Sequence, residues 1–484
     1  MTTQHALQEI QYNIEHKDLI KAQLIMDHFS EIDSKEQKAI LDELYAAKND
    51  FAIQVLSYLL VKHQGSTDEI CYEILTNLGL LANPKAIEAV SEFLYVDKFE
   101  LVVAALRTMG KIGTPEALQR LSLLLGKDLK KDLMVLDVFA SQQNEFSLKK
   151  LNEALNVSSA QVRNHARIRL VSIGTKAIPI LIGNLGTKDV DLQIISLNIL
   201  QEMGDESAAL AVRKLINQNP PEANVRFAAY ETLADISSRK GDYVLANGLT
   251  DPDSSVRVAA TKAIDRNLDP SLTKGVMNML ESSESEAEWI TKAIIDTQSS
   301  NLFKGLMKSD KFIKNATDYL IGDLHNDIRT FFVNILEQEG STELANELRN
   351  KKLEVKSVKG RVCAVDDSKM ILNIYRSIIT ELGYEAKLFS LPSEAIAWLK
   401  VEKPDFLCTD LNMPGITGVE VIQQVRKRYN KEELPIFLVT TQDEIQDNLS
   451  AQEAGVSEIL QKPFDTEKIS ALFKKYEKPI DKLV

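Results

Sequence analysis

TDPDSSVRVAATKAI (250–264) reads as a turn rich in Asp and Ser, followed by an amphipathic helix. Val256 begins an apolar face at helical spacing, and the small residues around Ala260 let a neighbouring helix approach closely. A helix this short cannot bury such a face by itself. The stretch therefore predicts one unit of a larger, stacked arrangement of helices.

Related stretches precede it at a nearly constant period. The three that align without gaps are QVRNHARIRLVSIG (161–174), DLQIISLNILQEMG (191–204) and NVRFAAYETLADIS (224–237). Their shared Val or Leu positions, taken with Val256, lie 30, 33 and 31 residues apart. The pattern extends back to DEICYEILTNLGLL (68–81) and returns as DIRTFFVNILEQEG (327–340). A fixed period of this length is typical of stacked helix pairs.

The first part of the chain is therefore predicted to be an all-α solenoid of helix pairs over residues 1–350. The repeats are clearest over 66–268 and degenerate towards the N-terminus. We expect the Val of each unit to point inward, and the Arg that follows it to pair with acidic residues in neighbouring turns. TDPDSSVRVAATKAI resembles a HEAT repeat of the short bacterial kind; the alternative is an irregular helical bundle.

The sequence changes character at about residue 350. KKLEVKSVKG (351–360) is a Lys-rich linker without a strong apolar face. Beyond it, amphipathic segments alternate with five apolar runs of strand length: RVCAV (361–365), EAKLF (385–389), DFLCT (405–409), PIFLV (435–439) and SEILQ (457–461). This alternation predicts a doubly wound α/β domain with a five-stranded parallel sheet over residues 361–478.

Polar residues stand at the carboxyl ends of four of these runs. They are Asp366 and Asp367 after the first, Asp410 after the third, Thr440 after the fourth and Lys462 after the fifth. Doubly wound sheets bind ligands at this edge, so we expect three carboxylates, a hydroxyl and an ammonium to converge there.

The residue types point to phosphoryl chemistry. Neighbouring carboxylates stay ionised together only when a cation offsets their repulsion, and oxygen ligands suit Mg²⁺. We expect Asp366, Asp367 and Asp410 to bind this ion, with the backbone carbonyl of Asn412. Asp410, alone in CTDLNMPG (408–415) and followed by a Pro-Gly loop, is the expected nucleophile toward a phosphoryl group. Thr440 and Lys462 would then bind the phosphoryl oxygens.

Four motifs in this region, VDDSKM, TDLNMPGITG, LVTTQ and LQKPF, resemble the signatures of the receiver domain of bacterial two-component signalling. The resemblance covers about 361–476 and implies a CheY-like, flavodoxin-like fold with strand order 2-1-3-4-5. It implies that Asp410 is the phosphoacceptor and that Thr440 moves toward the phosphoryl group. It also implies that Lys462 is the lysine typical of the family and that Pro463 follows a cis peptide bond.

Two residues depart from the receiver pattern. Ile459 stands where receivers commonly carry Tyr or Phe, three residues before the Lys-Pro pair, so the aromatic part of the usual switch is missing. Thr441 stands where many receivers have Ala, which could change the lifetime of an acyl phosphate.

Composition narrows the range of partners and compartments. The net charge of −13 argues against nucleic acid, whose phosphates require clustered Lys and Arg. No apolar stretch approaches the roughly 20 residues of a membrane span, and the start of the sequence lacks the features of a signal peptide. Three scattered cysteines, of which Cys363 and Cys408 lie in strand-like runs, indicate buried thiols rather than disulfides. These features predict a cytoplasmic protein.

The two resemblances together imply a response regulator rather than an enzyme. A histidine kinase or phosphotransfer protein would phosphorylate Asp410, and the phosphorylated state would change how the solenoid binds an unidentified protein. Only KPIDKLV (478–484) follows the receiver region, so no C-terminal DNA-binding domain is expected.

Three alternatives remain open from the sequence. The solenoid could be an enzyme, since short HEAT-like repeats also build bilin lyases and DNA glycosylases, although the six histidines form no cluster. It could be a ligand sensor that the receiver only modulates. His165 could be a phosphotransfer residue, although a place on a helix surface or between repeats is the ordinary expectation.

Overall fold

The structure is a computed structural model of the 484-residue chain. It describes residues 6–62, 68–236, 242–321, 326–350, 358–413, 415–440, 445–462 and 464–477. The chain divides into two compact units, Met1–Ala154 with His165–Ile173, and Leu155–Asn164 with Gly174–Val484. Among the described residues, no helix is both long enough and apolar enough to cross a membrane.

The first unit is helical. Its helices are α1 (Ala6–His16), α2 (Leu19–Asp27), α3 (Ser34–Ala47), α4 (Asp50–Lys62), α5 (Asp68–Leu81), α6 (Ile87–Glu92), α7 (Phe99–Ile112), α8 (Pro115–Ser122), α9 (Leu129–Gln142), α10 (Glu145–Glu153) and the later part of α11 (Ala160–Ile173). Alternate helices pack side by side, α5 against α7 and α7 against α9. This pairing buries the apolar face that each helix presents at helical spacing, as the repeat period predicts.

The helical part of the second unit continues the same pattern. Its helices are α12 (Ile178–Asn184), α13 (Val190–Met203), α14 (Ala209–Asn217), α15 (Ala223–Asp235), α16 (Ser254–Arg266), α17 (Pro270–Ser282), α18 (Glu284–Asp296), α19 (Ser300–Leu306), α20 (Asp310–Ile321), α21 (Asn326–Gln338) and α22 (Thr342–Asn350). Helices α13, α15, α16, α18 and α20 pack consecutively in one row.

Short 3-10 segments complete the helical part of the chain. They are Phe29–Glu31, Pro84–Ala86, Phe93–Tyr95, Ala154–Asn156, Gly174–Ala177, Glu206–Ala208 and Asp242–Thr250. The last of these takes the place of the first helix in the repeat that ends with α16, and it packs directly against α16.

The Arg of the Val-Arg pair donates to carbonyl oxygens of its own turn at Arg163, Arg226 and Arg257. Val225 and Val256 are fully buried. Arg226 donates to both carboxylate oxygens of Asp251, at 2.7 and 3.0 Å, so it pairs with an acid in the next turn as expected. It also donates to the carbonyl oxygens of Pro220 and Pro221 in its own turn. The guanidinium therefore joins two consecutive turns and satisfies carbonyls that would otherwise be unpaired.

Arg226→Met is expected to lower the free energy of unfolding by about 2–3 kcal/mol, because it leaves a buried carboxylate and two carbonyls without their donor. Chemical denaturation measures the effect. Arg120→Met is the control, since Arg120 pairs with Glu88, whose side chain is 81% exposed, and such a pair contributes about 0–1 kcal/mol. Equal losses of unfolding free energy in the two variants would show that the buried pair stabilises the fold no more than the exposed pair does.

The C-terminal part of the second unit is a parallel sheet with helices. Its strands are β1 (Arg361–Val365), β2 (Glu385–Phe389), β3 (Phe406–Asp410), β4 (Ile436–Thr440) and β5 (Glu458–Gln461). Its helices are α23 (Lys369–Glu381), α24 (Pro392–Leu399), α25 (Gly418–Arg426), α26 (Ile445–Ala454) and α27 (Thr466–Tyr476). All neighbouring strands are parallel, in the order β2-β1-β3-β4-β5, which confirms the predicted fold class.

Three strands begin one residue later than predicted. Asp405 is excluded from β3 because its carboxylate accepts a hydrogen bond from the backbone N–H of Arg361, at 2.7 Å. Pro435 lacks the N–H that a central strand position requires, so β4 begins at Ile436. The shift makes Asp410 and Thr440 the last residues of their strands, still at the predicted edge.

The core of this domain lies against the central strands. Cys363, Leu407 and Leu438 are at most 1% exposed and belong to one apolar cluster, against which Ile459 packs partly buried. Burial raises the pKa of the Cys363 thiol well above its ordinary value, as it does for Cys408 on β3. Both cysteines therefore behave as small apolar residues.

Candidate functional site

Three predicted site residues meet at the carboxyl edge of the sheet. The Lys462 ammonium donates to Asp366 Oδ2 at 2.6 Å and to Asp410 Oδ1 at 2.7 Å. Lys462 is 7% exposed, Asp366 is 0% exposed and Asp410 is 7% exposed. They stand at the ends of β5, β1 and β3. These strands are far apart in sequence, and β5 lies next to neither β1 nor β3 in the sheet. The parallel topology brings them together because it aligns all strand ends of one polarity.

The loops that follow the strands orient the two carboxylates. Asp410 Oδ2 accepts the backbone N–H of Asn412 at 2.9 Å. Asp366 Oδ1 accepts the backbone N–H of Ser368 at 2.9 Å. Ser368 is also the N-cap of α23, accepting from the N–H of Ile371. Each carboxylate therefore has one oxygen on the Lys462 ammonium and the other on a backbone N–H.

Gly418 permits close packing beside the central carboxylate. It begins α25, and a Cβ at this position would lie 2.1 Å from the backbone oxygen of Asp410. Its N–H donates to the carbonyl of Leu411 at 2.9 Å. Thr417 caps the helix reciprocally with Glu420. The loop after β3 is therefore closed tightly enough to fix the position of Asp410.

Gly418→Ala is expected to lower the free energy of unfolding by about 1–3 kcal/mol, because the added methyl group collides with backbone rather than with a flexible side chain. Gly275→Ala is the matched control: Gly275 lies inside α17 with nothing within 4 Å, so alanine should stabilise the helix by about 0.5–1 kcal/mol. Opposite signs are expected in chemical denaturation, and a gain for Gly418→Ala would contradict the close approach.

Burial and charge act in opposite directions on these groups. Burial raises the pKa of Asp366 above its ordinary value, although the Lys462 ammonium lowers it. Burial alone would lower the pKa of Lys462, but the Asp366 and Asp410 carboxylates hold it above its ordinary value. The ammonium is therefore charged at neutral pH and acts as the cation that lets two acidic groups share one buried site.

The other predicted site residues surround this trio. Thr440, the last residue of β4, is 2% exposed, and its carbonyl accepts the backbone N–H of Lys462 at 2.8 Å. Asp367 is exposed, and its charge raises the pKa of Asp366. Asn412 follows Asp410 by two residues and is half-buried. Thr441 and Pro463 lie outside the described residues.

The donor set fits Mg²⁺ by its chemistry. Asp366, Asp367, Asp410 and the Asn412 carbonyl offer only oxygen atoms, the ligands that this hard ion prefers. Within the described ranges, no three His, Cys, Asp or Glu side chains are already gathered as a metal-binding cluster. Lys462 supplies the positive charge between two of the four predicted ligands.

One residue of this site was not predicted from the sequence. Ser368 Oγ donates to Oε1 of Glu231 at 2.6 Å, across 137 positions of the chain. Glu231 lies on α15 and is 8% exposed. Burial raises the pKa of its carboxyl group, while Ser368 and the charge of Lys462 lower it. A carboxyl group of the repeat helices therefore reaches the polar edge of the sheet.

His165 lies elsewhere, on α11. Its Nε2 is 2.6 Å from Oδ1 of Asp137 on α9, and Arg169 donates to the same carboxylate oxygen at 2.6 Å. The histidine thus lies between two helices, beside an acidic and a basic side chain. This is the ordinary place expected from the sequence.

Comparison with known families identifies both parts of the chain. Residues 362–474 match the response regulator receiver domain family, and residues 185–265 match HEAT repeats. The chain therefore carries a two-component receiver domain at its C-terminal end and HEAT repeats before it. Both resemblances drawn from the motifs are confirmed.

A curated relative is similar over a stretch about as long as the receiver domain. Response regulator MprA of Mycobacterium leprae is 32% identical over 111 residues, which are 23% of this chain and 48% of that protein. This chain thus spans about half the length of that relative.

Solved receiver domains are similar over about a quarter of the chain. Chemotaxis protein CheY4 of Vibrio cholerae is 28% identical, covers 24% of this chain and 97% of its own, and has a TM-score of 0.23. The receiver domain of a sensor histidine kinase from Pseudomonas aeruginosa, with a magnesium ion in its active site cleft, is 20% identical. It covers 24% of this chain and 96% of its own, with a TM-score of 0.23.

Proposed function

We propose that the receiver domain accepts a phosphoryl group on Asp410 from a histidine kinase or phosphotransfer protein. The proposal rests above all on the Lys462 ammonium, which joins Asp366 and Asp410 at the carboxyl edge of the sheet. Such a site pairs a nucleophile with a cation that can move to the charge formed during transfer. The phosphorylated state would then change how the HEAT helices bind a protein partner.

The reaction is a displacement at phosphorus. One Asp410 carboxylate oxygen forms a bond to phosphorus, the bond from phosphorus to the donor nitrogen breaks, and the imidazole leaves with its electron pair. The product is an acyl phosphate on Asp410. The Asn412 N–H bonded to Oδ2 fixes the carboxylate plane and keeps Oδ1 directed toward Lys462. In this proposal Asp410 is the nucleophile and the backbone orients it.

Two further groups of the chain would act on the transferred phosphoryl. The Lys462 ammonium would exchange its contact with Asp410 for a phosphoryl oxygen, since that oxygen carries the larger charge. The Thr440 hydroxyl, at the neighbouring strand end, would donate to a second oxygen. Bound Mg²⁺, held by Asp366, Asp367, Asp410 and the Asn412 carbonyl, would neutralise negative charge on the phosphoryl oxygens.

The output is proposed to be a change in protein binding. Helices α15 and α16 lie in the same compact unit as the receiver, and one side chain of each is hydrogen-bonded to it. Extended helical repeats present a long surface to peptides and other proteins. A charge change at one edge of the receiver is sufficient to bias such a contact.

The proposed chemistry is tested by incubating the full chain with acetyl phosphate and Mg²⁺. We expect one phosphoryl group per chain, detected by intact mass, that hydroxylamine removes and that maps to Asp410. Beryllofluoride with Mg²⁺ should change the small-angle scattering profile if the phosphorylated state rearranges the protein. Unmodified protein under all conditions would contradict the proposal.

A further inference from the structure

Side chains of the repeat helices α15 and α16 contact the receiver at the edge that carries Asp410. Glu231 on α15 accepts from Ser368 Oγ at 2.6 Å. Ser255 on α16 donates to the carbonyl of Phe464 at 3.2 Å. Helix α18 packs against α23 of the receiver. All of these residues belong to one compact unit, and the first two contacts lie within two residues of Asp366 and Lys462.

The burial of Glu231 is unusual for its place in the repeat. Counted from the Val or Leu that aligns the repeats, its equivalents are Ile168, Asn198 and Lys262. Ile168 is 40% exposed, Asn198 is exposed and Lys262 is half-buried. This position therefore faces outward in the repeat itself. Glu231 is buried because the receiver covers it.

The same contact lies beside the nucleophile, because Ser368 also holds Asp366, which shares the Lys462 ammonium with Asp410. Asp410 and Lys462 are each 7% exposed and Asp366 is fully buried, whereas Asp367 beside them is exposed. A phosphodonor must bring its phosphorus within bonding distance of an Asp410 oxygen, in line with its leaving group. Asp367 is open to solvent, whereas any phosphodonor must reach Asp410 at the edge where Ser368 and Glu231 are joined.

We infer that Glu231 gates the receiver: its carboxyl group holds the phosphorylation edge against α15 and α16, and Asp410 is phosphorylated only when this contact opens. The inference rests on the proposed function and adds the regulation of the same site. It assigns a repeat residue to the control of phosphoryl transfer, in addition to any role of the repeats in output.

Ser368 is the link between the gate and the site. Its N–H holds Asp366 Oδ1, and its hydroxyl holds Glu231. Ser368 donates both hydrogen bonds. A shift of Asp366 toward a bound cation or phosphoryl group therefore also moves Ser368 relative to Glu231. Phosphorylation is therefore coupled to loss of the Glu231 contact without a longer chain of intermediates.

Glu231→Ala is expected to raise the rate of phosphorylation of the full chain by acetyl phosphate and Mg²⁺ about tenfold. Loss of one buried hydrogen bond shifts a closed-to-open equilibrium by roughly this factor. Glu231→Gln keeps an oxygen acceptor for Ser368 and should remain near the wild-type rate. Asn198→Ala, at the equivalent exposed position of α13, is the matched control and should have no effect.

A second readout does not depend on phosphoryl transfer. Hydrogen exchange of amides in α23 and at the start of α27 should be faster in Glu231→Ala than in wild type, without any phosphodonor. Ser255→Ala, which removes the separate contact to Phe464, should raise both the exchange and the phosphorylation rate.

The outcomes separate the inference from the proposed function. Equal rates and equal exchange in wild type and Glu231→Ala, with Asp410 phosphorylated in both, would overturn the gate and leave the proposed function intact. No phosphorylation of either chain would overturn the proposed function, and the gating role with it. Faster phosphorylation in Asn198→Ala as well would also overturn a specific role of Glu231.

Discussion

Asp410→Asn is expected to abolish acyl phosphate formation, with a loss of at least about 100-fold in the rate with acetyl phosphate and Mg²⁺. The amide keeps the shape of the side chain and can still accept the Asn412 N–H, but it has no charged oxygen to attack phosphorus. The fold should therefore persist while the reaction is lost. Intact mass and hydroxylamine sensitivity measure the modification, and circular dichroism verifies the fold.

Glu453→Gln provides the control for this variant. Glu453 is an exposed carboxylate on α26 in the same domain, so its loss should leave the rate unchanged. Phosphate that persists on Asp410→Asn would contradict the assignment of the nucleophile. If that phosphate were labile to acid and stable to alkali, it would lie on a histidine, and His165 would return as a phosphotransfer residue.

The site could be predicted largely from the sequence because a parallel sheet makes a simple spatial rule. Asp366, Asp410 and Lys462 lie 44 and 52 positions apart, yet each stands at the carboxyl end of an apolar run. Strands of one direction place these ends at one edge, so recognising the strands was enough to bring the residues together. An error of one residue in where a predicted strand begins or ends still leaves the side chain at that edge.

Glu231 could not be predicted in the same way. In NVRFAAYETLADIS it occupies a position that faces outward in neighbouring repeats, where a charged residue is the ordinary choice. Its burial depends on which surface of the receiver covers α15, and no periodicity within a repeat encodes that. Glu231 is buried where the equivalent Asn198 is exposed, and this difference is explained only by the contact with Ser368.

The predicted metal ligands could be predicted only in part. The sequence predicts their chemistry from oxygen donors at the strand ends, but not the balance of charge among them. Lys462 lies between Asp366 and Asp410 because two buried acidic groups need a cation nearby. The lysine and the proposed Mg²⁺ therefore share the task of offsetting negative charge at this edge.

Lys462→Met is expected to lower the free energy of unfolding of the receiver by about 3–5 kcal/mol in the absence of Mg²⁺. Methionine fills much of the volume of the lysine stem but leaves Asp366 and Asp410 adjacent and buried without a cation. Hydrogen exchange of the amides of β3 and β4 measures the loss, because these buried central strands open only when the domain unfolds. Added Mg²⁺ should recover part of the loss.

Lys475→Met isolates the effect of burial. The Lys475 ammonium is also 2.6 Å from a carboxylate, that of Glu458, but its side chain is 59% exposed, so its loss should cost about 0–1 kcal/mol. A double variant, Lys462→Met with Asp366→Asn, should lose less than Lys462→Met alone, since it removes one of the two buried acids. Equal losses in the Lys462 and Lys475 variants would mean that the ammonium does not hold the two carboxylates together. The nucleophile would then need another source of positive charge.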